Sequence, residues 1–180
     1  MKETEKGIEN SCNMMGVNPA LVQLPYPPMQ VAEKNLTVAE ILKQDYCGGV
    51  SELSAITQYI HTEILLSGSN CEVAKTILGI AMAEMIHLQK LGQLLVLLGG
   101  NPDYKTIQNK HSTVSWTPEW LRLPVEQKQM LSAGIASEKG AIAQYRKHMK
   151  MIKDPYVLRI IARIVKDEEY HIFLLQSCHL

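Results

Sequence analysis

The chain has 180 residues, 46% hydrophobic and 20% charged, which suits one globular domain able to bury a core. Lys plus Arg is 18 and Asp plus Glu is 18, so the net charge is 0 and neither nucleic acid nor an anionic membrane surface is expected as a partner. No apolar stretch approaches the roughly 18 residues of a membrane span, and the polar segment Met1–Asn10 lacks the apolar core of a secretory signal, so a cytoplasmic protein is expected. The four cysteines, Cys12, Cys47, Cys71 and Cys178, show no C-x-x-C spacing. That removes zinc-ribbon and thioredoxin-like signatures and leaves free thiols in a reducing compartment as the expectation.

Residues 1–36 read as an extended N-terminal arm, because Asn18-Pro19 and the run Leu24-Pro25-Tyr26-Pro27-Pro28 cannot continue a helix. The bundle proper is expected over residues 37–180. A first helix is predicted from Thr37, with Thr37-Val38-Ala39-Glu40 as its capping box, to about Leu66. Gly48-Gly49 marks a possible kink or break within it. Asn70 is the expected N-cap of a second helix, whose apolar stripe is Ile77, Ile80, Leu91, Leu94, Leu95 and Leu98, and Gly99-Gly100 ends it. About 24 residues follow without helical periodicity and without a convincing strand, holding Trp116 and Trp120, which are expected to pack this connection onto the helices. A third helix is predicted from near Pro124 to about Ile152, and a fourth from Asp154-Pro155 almost to the C-terminus. Short turn, long connection, short turn gives an all-α, up-down-down-up four-helix bundle with one long crossover between the second and third helices.

Two E-x-x-H motifs occur, Glu84-Met85-Ile86-His87 and Glu168-Glu169-Tyr170-His171. On a helix such residues lie about 4.5 Å apart along the axis on one face, so a carboxylate and an imidazole can reach a single ion. Both motifs continue apolar stripes: Ile77, Ile80, Glu84, His87, Leu91 and Ile161, Ile164, Glu168, His171, Leu175. Charged groups there are costly unless paired or bound to metal. The pattern E-x-x-A-I-x-Q-Y appears twice, at Glu52–Tyr59 and Glu138–Tyr145, so one helix pair repeats the other. Glu52 and Glu84 each lie 16 residues from Gly68, and Glu138 and Glu168 each lie 15 from Lys153. All four glutamates therefore fall in one layer of the bundle. One Glu from each of two helices and E-x-x-H from the other two is a two-metal ligand set. Four carboxylates balance two divalent ions, which makes burial tolerable.

On these motifs the sequence resembles the ferritin-like superfamily of di-iron carboxylate proteins, nearest its bacterioferritin and rubrerythrin branch, over residues 37–178. The resemblance implies that Glu52 and His87 hold one iron, Glu138 and His171 the other, and that Glu84 and Glu168 bridge them. It also implies that Asp167 orients His87. Rubrerythrins usually add a Cys-rich rubredoxin-like domain; none occurs in this sequence, so an external electron donor is expected. Bacterioferritins often place a haem-ligating Met beside the first bridging Glu, and Met85 stands there, but Met is common filler at helix interfaces and haem is not expected. The sequence stops soon after the fourth helix, so a storage cage is not expected either.

Tyr59 and Tyr145 each follow a ligand glutamate by seven residues and are expected to hydrogen-bond a ligand carboxylate or to relay an electron. His61, His111, His148 and His179 lack partner spacing and read as surface residues. The expected activity is an oxidoreductase reacting with peroxide or dioxygen, either a rubrerythrin-like peroxidase or a ferroxidase. The alternatives are a di-manganese catalase, which uses a similar bundle, and a non-enzymatic iron-binding or storage protein. A homodimer or higher homo-oligomer is the expected assembly.

Overall fold

The computed structural model describes residues 12–108 and 112–178. Among these residues five helices make the bundle: α1 (Leu36–Cys47), α2 (Glu52–Leu66), α3 (Cys71–Leu97), α4 (Gln127–Met149) and α5 (Pro155–Ser177). α1 and α2 occupy the place of the single first helix expected from the sequence. The chain breaks at Gly48, where a Cβ would stand 2.6 Å from the Gln44 carbonyl oxygen, a contact only glycine avoids. Ser51 then caps a fresh start, accepting from the Ser54 amide, so Glu52 opens α2 in a first turn that favours negative charge. The expected capping box is also corrected: Asn35, not Thr37, caps α1 by accepting from the Val38 amide. Asn70 caps α3 as expected, and Asp154 caps α5. α4 starts at Gln127, three residues past Pro124, and ends at Met149, before Ile152.

The crossover is not strandless. β1 (Lys105–Gln108) pairs antiparallel with β2 (Ser112–Ser115), Lys105 opposite Ser115, and a 3-10 turn follows at Pro118–Trp120. A two-stranded ribbon this short carries too little alternation to be seen in sequence. Trp116 Nε1 donates to Ser54 Oγ (3.0 Å), and the Trp120 ring lies against Gly49, so the crossover packs onto the break between α1 and α2.

α2 packs on α3 and α4 on α5, with α3 touching α5 between the two hairpins. Two apolar clusters fill the interior. One joins Leu42 of α1, Leu91, Leu94 and Leu95 of α3, and Ile160, Ile161 and Ile164 of α5. The other joins Tyr59 of α2, Ile77 and Ile80 of α3, Leu131 of α4, and Leu175 of α5. Each fully buried Leu or Ile contributes about 1.5–3 kcal/mol. Between the clusters, at the level of residues 84–87 and 168–171, lies a polar layer. Among the described residues no helix is long and apolar enough to cross a membrane.

The described part of the arm runs without helix or strand from Cys12 to Asn35 along α3 and α5. The free-thiol expectation fails for two cysteines: Cys12 and Cys71 form a disulfide, their Cα atoms 5.3 Å apart. Cys47 and Cys178 are free. His148 is not a surface residue either. It is 2% exposed, and its Nδ1 sits 2.9 and 2.8 Å from the two oxygens of Asp45, itself 2% exposed. His111 and His179 lie outside the described residues, as do residues 1–11 of the arm.

Candidate metal centre

The polar layer holds Glu52, Glu84, His87, Glu138, Glu168 and His171, each at most 3% exposed. The two E-x-x-H turns face each other across the α3–α5 contact, their imidazoles 5.8 Å apart between centroids. The arrangement has a local two-fold character. His87 Nδ1 lies 2.9 Å from Glu84 Oε2, 3.2 Å from Glu168 Oε1 and 3.6 Å from Glu52 Oε2. His171 Nδ1 lies 3.1 Å from Glu168 Oε2, 3.1 Å from Glu84 Oε1 and 3.6 Å from Glu138 Oε1. Glu84 and Glu168 thus each turn one oxygen to either histidine. Two overlapping groups, Glu52–Glu84–His87–Glu168 and Glu84–Glu138–Glu168–His171, bring one atom per residue within 4.8 Å of one another.

The outer nitrogens settle the tautomers. His171 Nε2 is 2.9 Å from the Ala20 carbonyl oxygen, which only accepts, so that nitrogen carries the hydrogen. His87 Nε2 is 3.2 Å from Asp167 Oδ2. Each Nδ1 therefore turns a lone pair toward carboxylate oxygens unless a cation stands between them. Glu84 Oε1 and Glu168 Oε1 are buried without a hydrogen-bond donor. A buried layer of acceptors with orphaned oxygens fits a pair of cations.

Without ions, protons take that place. Burial, then repulsion from Glu84 and Glu168, pushes the Glu52 carboxyl well up, and burial with the same repulsion does so for Glu138. Burial alone would lower His87 and His171, but the surrounding carboxylates, led by Glu168 and Glu84 respectively, outweigh it and push both well up. Burial would raise Glu84, yet His171 and His87 hold it well below the usual carboxylate range.

Further contacts brace the layer. Tyr145 donates to Glu52 and Tyr59 donates to Glu138, each across the bundle to the helix bearing the other copy of the repeat. Asp167 accepts from the Val22 amide (2.8 Å) and from Tyr26 (2.8 Å) and pairs with Arg163. Burial would raise Asp167, but the hydrogen bonds from His87, Arg163 and the Val22 amide hold it down at about 2. The Ala20 carbonyl, Tyr26 and Arg163 have no signature in the sequence, since a main-chain acceptor is the same in every residue. Met85 is 46% exposed, away from the layer.

A helical bundle with a buried glutamate–histidine layer able to hold two metal ions is the ferritin-like class. The family model for rubrerythrin matches residues 50–178, and the chain belongs to that family. No curated protein sequence matches it. The fold is similar to that of the manganese catalase KatB from Anabaena, with TM-score 0.76 and 22% identity over 87% of this chain and 77% of that one. It is also similar to bacterioferritin BfrA from Mycobacterium tuberculosis, with TM-score 0.66 and 24% identity over 82% and 86% of the two chains. For Rhodobacter capsulatus bacterioferritin the values are 0.64 and 23%, over 81% and 84%. At these identities the likeness is one of fold.

Proposed function

We propose that this chain is a di-iron oxidoreductase of the rubrerythrin type that reacts with peroxide or dioxygen and draws electrons from a separate donor. The observation that carries the reading is the paired convergence on His87 and His171, with Glu84 and Glu168 dividing their oxygens between them. Glu52 and His87 would hold one ion, Glu138 and His171 the other, and Glu84 and Glu168 both. When bound, the pair supplies two reducing equivalents and a Lewis-acidic surface for an oxygen substrate. The chain's part is positioning and proton control. Tyr145 and Tyr59 fix the orientation of Glu52 and Glu138, and the two outer acceptors keep each Nδ1 free to ligate. The apolar clusters above and below keep water from the layer.

Two Fe(II) per chain, loaded without oxygen and then mixed with peroxide or with dioxygen, test the proposal by absorbance. Faster oxidation by peroxide supports the peroxidase form, and faster oxidation by dioxygen the ferroxidase form. The similarity to KatB, over 87% of this chain, favours manganese as the second reading. Steady oxygen release from peroxide by the Mn(II)-loaded protein, without any electron donor, would select it.

Ion binding is expected to release protons. Glu52, Glu138, His87 and His171 hold theirs above the ordinary 4.5 and 6.5, and a cation must displace them. Affinity should therefore rise with pH above about 6.5, and calorimetry in two buffers of different ionisation enthalpy should show the released protons. The same groups make the ion-free fold bind more protons than the unfolded chain in that range. Its stability should fall as pH rises, and the loaded protein should not share that loss.

A further inference from the structure

The arm reaches the polar layer directly, and one covalent bond holds it at Cys12. Cys12 is joined to Cys71, the first residue of α3. Eight residues on in both segments, the Ala20 amide donates to the Gly79 carbonyl (2.8 Å). Here the arm lies so close to α3 that a Cβ on Gly79 would stand 3.0 Å from the Asn18 carbonyl oxygen. The close approach explains a glycine in mid-helix, where it costs stability relative to alanine. From that point the Ala20 carbonyl accepts from His171 Nε2 and the Val22 amide donates to Asp167, the partner of His87. Arg163 of α5 holds the Val22 and Leu24 carbonyls (3.0 and 2.9 Å). With no ladder of its own, the stretch from Cys12 to Leu24 is held by these bonds and the disulfide, with Met14 and Ala20 packed on the core and Tyr26 bonded to Asp167 just beyond it.

We propose that the Cys12–Cys71 disulfide is a redox-sensitive clasp on this strap, and that opening it speeds loss of the ion held by His171. The proposal rests on the ligand reading given above. The two sites differ in what the strap gives them. His171 depends on a strap carbonyl itself, whereas His87 leans on Asp167 of α5, which Arg163 also holds. A dithiol reductant would open the clasp: the Sγ–Sγ bond takes two electrons and two protons, leaving two thiols, and the reductant closes to its own disulfide. Both cysteines are half-buried, neither lying in the closed core. The freed strap would move off α5, and water would replace Ala20 at the His171 edge. Loss of such an outer partner typically weakens metal binding by about 10–100-fold.

The test loads oxidised wild-type protein and the Cys12→Ser variant with Mn(II) alone, follows release to a chelator, and maps hydrogen exchange over residues 13–26. In the variant, one of two ions is expected to leave about 10-fold faster or more, the other at its wild-type rate, with protection lost at the Ala20 and Val22 amides. Gly79→Val, which pushes the strap away while the disulfide stays intact, should give the same pair of changes. Wild-type release rates and unchanged protection in Cys12→Ser would overturn the clasp while leaving the ligand reading intact. No Mn(II) uptake by the wild type would overturn both, and the exchange data would then report on the strap alone. If Cys12→Ser does not fold, wild type reduced with a phosphine and alkylated takes its place.

Discussion

Glu84→Ala or Glu168→Ala is expected to strip both ions from the chain, whereas Glu52→Ala loses mainly one. Each of the first two residues offers one oxygen to either histidine, so its removal takes a ligand from both positions at once. It also leaves two inward-facing imidazoles with one shared carboxylate. Glu52 approaches only His87, at 3.6 Å, and Glu138 only His171, at the same distance. Even an outer partner costs about 10–100-fold in affinity, so loss of a shared ligand should cost more than about 100-fold at each position. Ion counts after gel filtration, with a titration of each variant, make the comparison. Equal losses in Glu52→Ala and Glu84→Ala would remove the assignment of shared and unshared ligands.

The second large effect concerns stability away from the metal layer. His148→Ala is expected to destabilise the fold by about 3–5 kcal/mol, the cost of stranding one member of a buried pair. For a chain of this size that is a fall of about 10 °C in Tm. Asp45 on α1 receives Nδ1 of His148 and the amide of Gln144 (2.7 Å), both on α4, and Gln144 also donates to the Val50 carbonyl in the break. The cluster ties the detached α1 to the bundle. Burial pushes the Asp45 carboxyl above its ordinary 3.8, against the pull of His148 and Gln144. Without His148 that rise grows. The folded variant then holds a proton that the unfolded chain releases, so the destabilisation should deepen as pH rises above about 4. Denaturant melts at pH 5 and pH 8 measure it. An Asp45→Leu, His148→Leu double variant should recover much of the loss, because an apolar pair strands no charge.

What could be read from the sequence alone was what helical periodicity encodes. Two E-x-x-H motifs and a repeated E-x-x-A-I-x-Q-Y set every glutamate and histidine of the layer, because a 3.6-residue period fixes which side chains share a face. Counting from the two short turns set their common level. The buried stripe of α3, the cap at Asn70 and the start of α5 at Asp154-Pro155 were legible for the same reason, each being decided within a few residues. The exchange of tyrosines between the two repeats was not legible, since Tyr59 meets Glu138 and Tyr145 meets Glu52 only once the hairpins dock. The Asp45–His148 pair spans 103 residues and follows no local spacing, so His148 looked like a surface residue. The strap lay furthest from reach. Its Val22 amide and Ala20 carbonyl meet Asp167 and His171, 145 and 151 residues away, through main-chain atoms, and its disulfide joins cysteines with no motif between them. The glutamates and histidines of the layer follow from local geometry, and what holds and covers them follows from the docking of distant segments, which only the tertiary structure decides.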